Sequence, residues 1–179
     1  MDLHQLFLNN SAGLYDNHLN DGSWQHATIY NLDSASTFWN AASIISLPKQ
    51  HATTAPGALL YLLQAEAKAL TIWHNCWGNA VPATNDFVTT IMAQKRFTNT
   101  TGRATSTEIF WKEFKDCMAG LTSGDGFQLT INGIATPYKE LLQQDDLVQV
   151  ICFDESWQEQ NYFVETTHSW LLYHWSTAA

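Results

Sequence analysis

Residues 127–175 read FQLTINGIATPYKELLQQDDLVQVICFDESWQEQNYFVETTHSWLLYHW, and this stretch decides the fold class. Phe127, Leu129 and Ile131 alternate with polar neighbours and lead into Asn132-Gly133, the pair best suited to a type I′ hairpin turn, after which Ile134 begins a return. Residues 138–143 fit one helical turn. Residues 147–153 form a short apolar run of strand length, and 162–175 predict a long final strand. On that strand alternation puts Thr166, His168, Trp170, Leu172 and His174 on one face, with Glu165, Thr167, Ser169, Leu171, Tyr173 and Trp175 on the other.

Upstream of Gly124 the period is mostly helical. Residues 55–77 predict a long helix: Thr54 is placed to cap it, Pro56 suits its first turn, and Gly78 suits the left-handed position just past its end. Leu59, Leu63, Ala67, Leu70 and Trp77 make one apolar stripe, widened by Leu60, Leu62 and Trp73. Residues 85–97 predict a further helix with Val88, Ile91 and Met92 inward and Lys95 and Arg96 at its C-terminal end, where the dipole favours cations. Thr105-Ser106-Thr107-Glu108 reads as a capping box before a helix whose Phe110, Phe114, Cys117 and Leu121 share a face. Nearer the N-terminus, Leu3, Leu6 and Phe7 predict a short helix stopped near Gly13, and 24–32 predict a strand. A helix is then expected, capped by Asp33 or Ser34, with Phe38, Ala42 and Ile45 on one face and Pro48 at its end. Helices followed by strands imply an α+β fold: an antiparallel sheet formed mainly by the C-terminal third and packed on one face by several helices.

The 179 residues suit one domain spanning 1–179, with no repeat and no linker to divide it. Hydrophobic residues are 45% and charged residues only 14%, so the chain collapses rather than staying disordered. The net charge of -9 argues against a general nucleic-acid binder, which needs a surplus of Lys and Arg to neutralise phosphates. Five of the eight cations, Lys95, Arg96, Arg103, Lys112 and Lys115, fall in one stretch, so both ends of the chain are acidic. No apolar run is long enough to span a bilayer, and the opening residues lack the basic and apolar regions of a signal peptide. Cys76, Cys117 and Cys152 are odd in number and form no CxxC pair, which points to a reducing, cytoplasmic home. No phosphate loop, HExxH, GxSxG, EF-hand loop or paired-cysteine zinc site is present, and no cofactor or metal is expected.

The remaining chemistry lies in isolated polar residues on apolar faces. Helical projection puts Glu66 and His74 on the stripe of Leu63, Leu70 and Trp77, where desolvation would raise a carboxyl pKa and prepare it for acid or base work. They stand two turns apart, about 12 Å along the axis, so they share a pocket without bonding each other. Cys76-Trp77 is similar to the Cys-Trp pair that opens the catalytic helix of papain-like thiol enzymes, for which His168 would supply the base. Here the cysteine ends its helix, where the dipole opposes a thiolate.

Three functions follow from these residues. One is a protein-binding or inhibitory module that presents an acidic, aromatic surface, using Asp145, Asp146, Asp154, Glu155, Trp157 and Glu159, to a basic partner. A second is a small cofactor-independent enzyme, an isomerase, cyclase or hydrolase, with Glu66 as acid or base, His74 beside it, and His168 and His174 polarising the substrate. The third is a small-ligand-binding protein using the same helix-sheet pocket, with Trp170 in its lining. Trp24, Trp111 and Trp157 are the tryptophans expected at the surface.

Overall fold

The computed structural model describes residues 26–33, 39–69, 75–76, 78, 86–87, 89–91, 101–121, 129–131, 134–136, 142–156 and 158–178. The expected opening helix, Trp24, His74, Trp77, Trp157, the Asn132-Gly133 turn itself and much of 85–97 lie outside the described residues.

Six strands form one antiparallel sheet. In chain order they are β1 (Thr28–Asp33), β2 (Trp39–Pro48), β3 (Arg103–Thr105), β6 (Leu147–Glu155), β7 (Glu159–Thr166) and β8 (Ser169–Ala178), arranged in space as β1-β2-β8-β7-β6-β3. Two strands outside that sheet, β4 (Leu129–Ile131) and β5 (Ile134–Thr136), make the expected small hairpin, with Ile131 opposite Ile134. Among the described residues two long helices, α1 (Ala55–Ala69) and α2 (Thr107–Leu121), accompany the sheet in an α+β architecture.

Helix starts follow their local chemistry. The Gly57 N–H donates to Thr54 Oγ1 at 3.3 Å and the Ala58 N–H to the Thr54 carbonyl, so Thr54 caps α1. Ser106, one residue on from Thr105, caps α2: the Ile109 N–H reaches its Oγ at 3.1 Å. Thr105 instead closes β3. Asn75 and Cys76 are helical, and Gly78 holds φ +59, the left-handed conformation that favours glycine.

Two elements differ from their sequence reading. Residues 39–48, expected as helix, are β2, because Ala42, Ile44, Ile45 and Leu47 are all buried. A strand covered on both faces loses its alternation and offers a false helical stripe through Ala42 and Ile45. The expected final strand over 162–175 is two strands joined by Thr167-His168. No glycine marks the turn. Thr166 Oγ1 accepts the Ser169 N–H at 2.8 Å and the His168 N–H at 3.3 Å, and donates to the Ser169 carbonyl. A side-chain oxygen thus organises the reversal.

Both sheet faces are covered. On one, Ile45, Leu47, Ile151, Phe153, Phe163, Trp170 and Leu172 pack with α1, Phe87 and Ile91. On the other, Ala42, Ile44, Val150, Cys152, Tyr162, Val164, Leu171 and Tyr173 pack with Phe110, Phe114 and Met118 of α2. The helices, expected on one face, are shared between the two. Residues 58–67 of α1 are all buried, so its far side is covered as well as its sheet-facing stripe.

Gly102 precedes β3 where the chain presses on β6. A Cβ there would lie 2.4 Å from Ile151 Cγ2 and 2.6 Å from Phe153 Cε1. Gly102→Ala is expected to cost about 1–3 kcal/mol, read as a lower urea midpoint at unchanged slope. An unchanged midpoint would mean that the β3 edge moves aside freely.

Candidate functional site

Directly opposed residues of antiparallel strands point to the same face, so the register shows what each face carries. On the α1 face one row is apolar: Ile151 opposes Phe163, Phe163 opposes Leu172, and Leu172 opposes Ile45. The next row, two residues along each of β7, β8 and β2, is polar. Asp154 opposes Asn161, Asn161 opposes His174, and His174 opposes Ser43, whose neighbour in register on β1 is Asn31.

Asp154 joins this row because of an irregularity in β6. The register shifts between Cys152 and Asp154, leaving Phe153 as an extra residue. Unbroken alternation would put Asp154 on the same face as Cys152, toward α2. The bulge instead sets it beside Asn161, the kind of re-aiming for which bulges are used near functional sites.

The row is largely removed from solvent. Asn161 is 2% exposed and Asp154 9%, while His174 and Ser43 are half-buried. His174 Nδ1 lies 2.7 Å from Asn161 Oδ1. Because the amide oxygen only accepts, Nδ1 carries the proton, and in the neutral ring Nε2 is the accepting atom. Asn161 Nδ2 finds no hydrogen-bond partner among the described residues. A buried donor left unsatisfied costs about 1–3 kcal/mol.

The opposite end of the same face is closed by paired groups. Lys49 Nζ donates to Glu165 Oε1 at 2.7 Å and lies 5.0 Å from the Trp170 ring centre, and Trp170 Nε1 donates to the Ala52 carbonyl at 2.8 Å. Trp170 is therefore a buried wall at the start of α1. Phe163 stacks on it at 5.7 Å.

The α2 face carries a second polar group of residues. Tyr162 donates its hydroxyl to Glu113 Oε2, and the Cys117 thiol donates to Gln160 Oε1 at 3.3 Å. The Cys152 thiol reaches Glu155 Oε2, which also pairs with Arg103. Burial pushes the Cys117 thiol up to about 11, with Glu113 and Asp116 adding to the rise. Burial also raises Cys152, against the pull of Arg103, and raises Tyr162 and Tyr173. Groups held in their protonated forms donate hydrogen bonds and do not attack substrates.

The sequence-derived candidates separate accordingly. Glu66 is buried on α1 at 3% exposure, and His174 lies on the polar row. His168 sits exposed in the β7-β8 turn, and even the strand position it was paired with, Thr166, shares the face of Tyr162 and Val164, opposite His174. Asp145 and Asp146 lie in the turn before β6, with Asp146 accepting from Thr167, whereas Glu155 ends β6, about 26 Å away along an extended strand, and Glu159 begins β7. Asp154 is buried between those ends and Glu155 is engaged by Arg103, so these acids do not make one surface. Trp111, expected at the surface, is half-buried against Phe114. The residues that sequence reasoning missed are Ser43 and Asn161. Their place on one row follows from the pairing of β2 and β7 with β8, which no local sequence feature announces.

No helix among the described residues is long and apolar enough to cross a membrane, and no group of three or more His, Cys, Asp or Glu among them is placed to hold a metal ion. No protein-family model matches the chain, and no curated protein or solved structure resembles it at a significant level.

The raised thiols and phenols set an alkaline limit. A group whose folded pKa exceeds its unfolded value holds its proton in the native state while the unfolded chain releases it, so stability is full below the unfolded value and is lost as pH rises. For Cys117 that window runs from its ordinary 9.0 to about 11. The urea midpoint is expected to fall steadily across it, and at pH 8 iodoacetamide is expected to label exposed Cys76 well before Cys117 or Cys152, read by peptide mass spectrometry. Labelling of Cys117 as fast as Cys76 at pH 8 would contradict the buried, protonated thiol.

Proposed function

We propose that this chain is a small-molecule-binding protein whose ligand lies on the α1 face of the sheet, against Asp154, Asn161, His174 and Ser43. The observation that carries the reading is the buried Asn161 Nδ2, a donor with no partner among the described residues in the middle of a polar row. Binding sites are mostly apolar with a few polar groups placed among them, and the apolar row of Ile151, Phe163, Leu172 and Ile45 beside this one supplies the wall.

The course of α1 adds Glu66 to the same region. The helix starts at the Leu47–Trp170 end of β2 and β8, tied there by the Trp170 bond to Ala52, and packs on both strands. To stay on the sheet it runs back toward the other end. Glu66 lies eleven residues past Ala55, about 16 Å of helix. Ser43 and His174 lie about 13 Å back along the strands from Leu47 and Trp170. On that course Glu66 would stand level with the polar row. His174 Nε2 and the Glu66 carboxyl group are then the two atoms through which the site would exchange a proton if it also catalyses.

Thermal melting with a library of small polar molecules tests the reading. A true ligand at one hundred times its Kd adds about 2.7 kcal/mol, which for a chain of this size is a rise in Tm of about 5–10 °C. That rise is expected to vanish in Asn161→Leu and to fall in His174→Ala, with both variants still melting cooperatively. A rise that survives both substitutions puts the ligand elsewhere and ends this proposal.

A further inference from the structure

We infer that the α2 face holds a second binding site, at the Gln160–Trp175 end of the sheet, for a neutral ligand that presents a carbonyl oxygen. It shares no residue with the site proposed on the α1 face. Two donors support it. The Trp175 indole Nε1 and the Tyr173 hydroxyl are both shielded from solvent, and neither makes a hydrogen bond among the described residues. They stand two residues apart on β8, so they share one face of the strand, and both residues pack with Phe110 and Met118 of α2. An indole N–H can only donate, so no shuffling of protons within the protein satisfies it. The Cys117 sulfur lies beside the Tyr173 hydroxyl, but a thiol sulfur is a weak acceptor, and its own proton goes to Gln160 Oε1 at 3.3 Å.

The surroundings select the ligand. Gln160 opposes Trp175 in register and Cys117 reaches it from α2, so the two donors border one polar corner. Tyr162 and Tyr173 are its buried floor, whereas Gln160, Trp175 and Cys117 are half-buried and place its mouth at the surface. Burial holds the Tyr173 hydroxyl well above its ordinary value, so it meets a ligand as a donor. A cation would bring further donors to a corner that already lacks acceptors. An anion would meet an unfavourable field. Glu113, which accepts from Tyr162, stands one turn before Cys117, Asp116 precedes that thiol directly, and the C-terminal end of α2 adds its negative dipole. Lys112 and Lys115 on the same helix are exposed, with Lys115 lying over Trp111 at 5.9 Å. A neutral carbonyl oxygen satisfies buried donors without bringing a charge into that field.

Cyclohexanone, cyclohexanecarboxylate and cyclohexylammonium share one ring and differ in the head group. Each is titrated into the isotope-labelled full chain while the Trp175 indole N–H resonance, assigned through its backbone connectivity, is followed by NMR. Cyclohexanone is expected to move that resonance and to bind at least about tenfold more tightly than either charged probe. Tyr173→Phe is expected to weaken it about fivefold, as the loss of one neutral hydrogen bond does, and Asn161→Leu to leave it unchanged. The comparison of probes needs no variant, so it stands even if Tyr173→Phe folds poorly. An indole N–H that no probe moves at ten millimolar overturns the site, as does one held by a bound water that cyclohexanone fails to displace. Carboxylate binding as tight as that of the ketone overturns the ligand class. Cyclohexanone that moves the Asn161 amide and not Trp175 ends this inference and favours the α1-face site.

Discussion

The pairing of β2 with β8 is the contact on which the rest of the structure depends. Ten consecutive residue pairs, from Trp39 opposite Ala178 to Pro48 opposite Ser169, join the start of the chain to its end. Without that ladder the N-terminal β1-β2 hairpin and the β6-β7-β8 meander are two small sheets, neither wide enough to bury a helix. With it, α1 lies across β2 and β8, and α2 lies over β6 and β2 on the other face. The ordering of a closed loop of this length is entropically costly and is repaid only when both faces are covered. Ile44 and Ile45 show the arrangement: adjacent residues of one strand, each almost fully buried, serving opposite cores.

That dependence explains what the sequence disclosed. Elements stabilised by their own neighbours were legible: the Thr54-capped α1, the α2 start, the left-handed Gly78 and the β4-β5 hairpin with Ile131 facing Ile134. Elements defined by distant partners were not. β2 has no alternation because both of its faces are covered, and only its pairing with β8 makes it a strand. The division of β7 from β8 depends on a Thr166 hydroxyl in place of glycine, so it left no turn signature. The placement of the helices on both faces was also hidden, since the order of elements along the chain does not say which side of the sheet each returns to.

The site shows the same split between local and long-range information. Glu66 was visible as a polar residue on an apolar helical stripe, and its burial agrees with that projection. His174 was visible as a polar residue alternating with Trp170 and Leu172, and β8 keeps that face. Asp154 was legible only as one acid in a run with Glu155, and therefore as surface. Alternation sends these neighbours to opposite faces, and the bulge at Phe153 decides which goes where: Asp154 turns to the α1 face beside Asn161, and Glu155 turns to Arg103. A single inserted residue thus sets which acid of the pair is buried and which is left to an exposed ion pair.

The adjacent apolar and polar rows supply an internal comparison. Both cross β6, β7, β8 and β2 on the same face, separated by two residues per strand on β7, β8 and β2. Phe163 and Asn161 are equally buried, at 2% each, so depth does not distinguish the rows. The first row gains about 25 cal/mol for each square ångström of apolar surface it removes from water. The second forgoes that gain and leaves an amide donor unsatisfied, at a further cost of about 1–3 kcal/mol. A sheet selected by packing alone would continue the apolar pattern, as it does through Leu172 and Ile45. The break occurs where the bulge adds an acid, so two departures from core chemistry, a buried carboxyl group and an unsatisfied amide, fall in one row. The stability given up in that row is the physical ground on which the site proposed there rests.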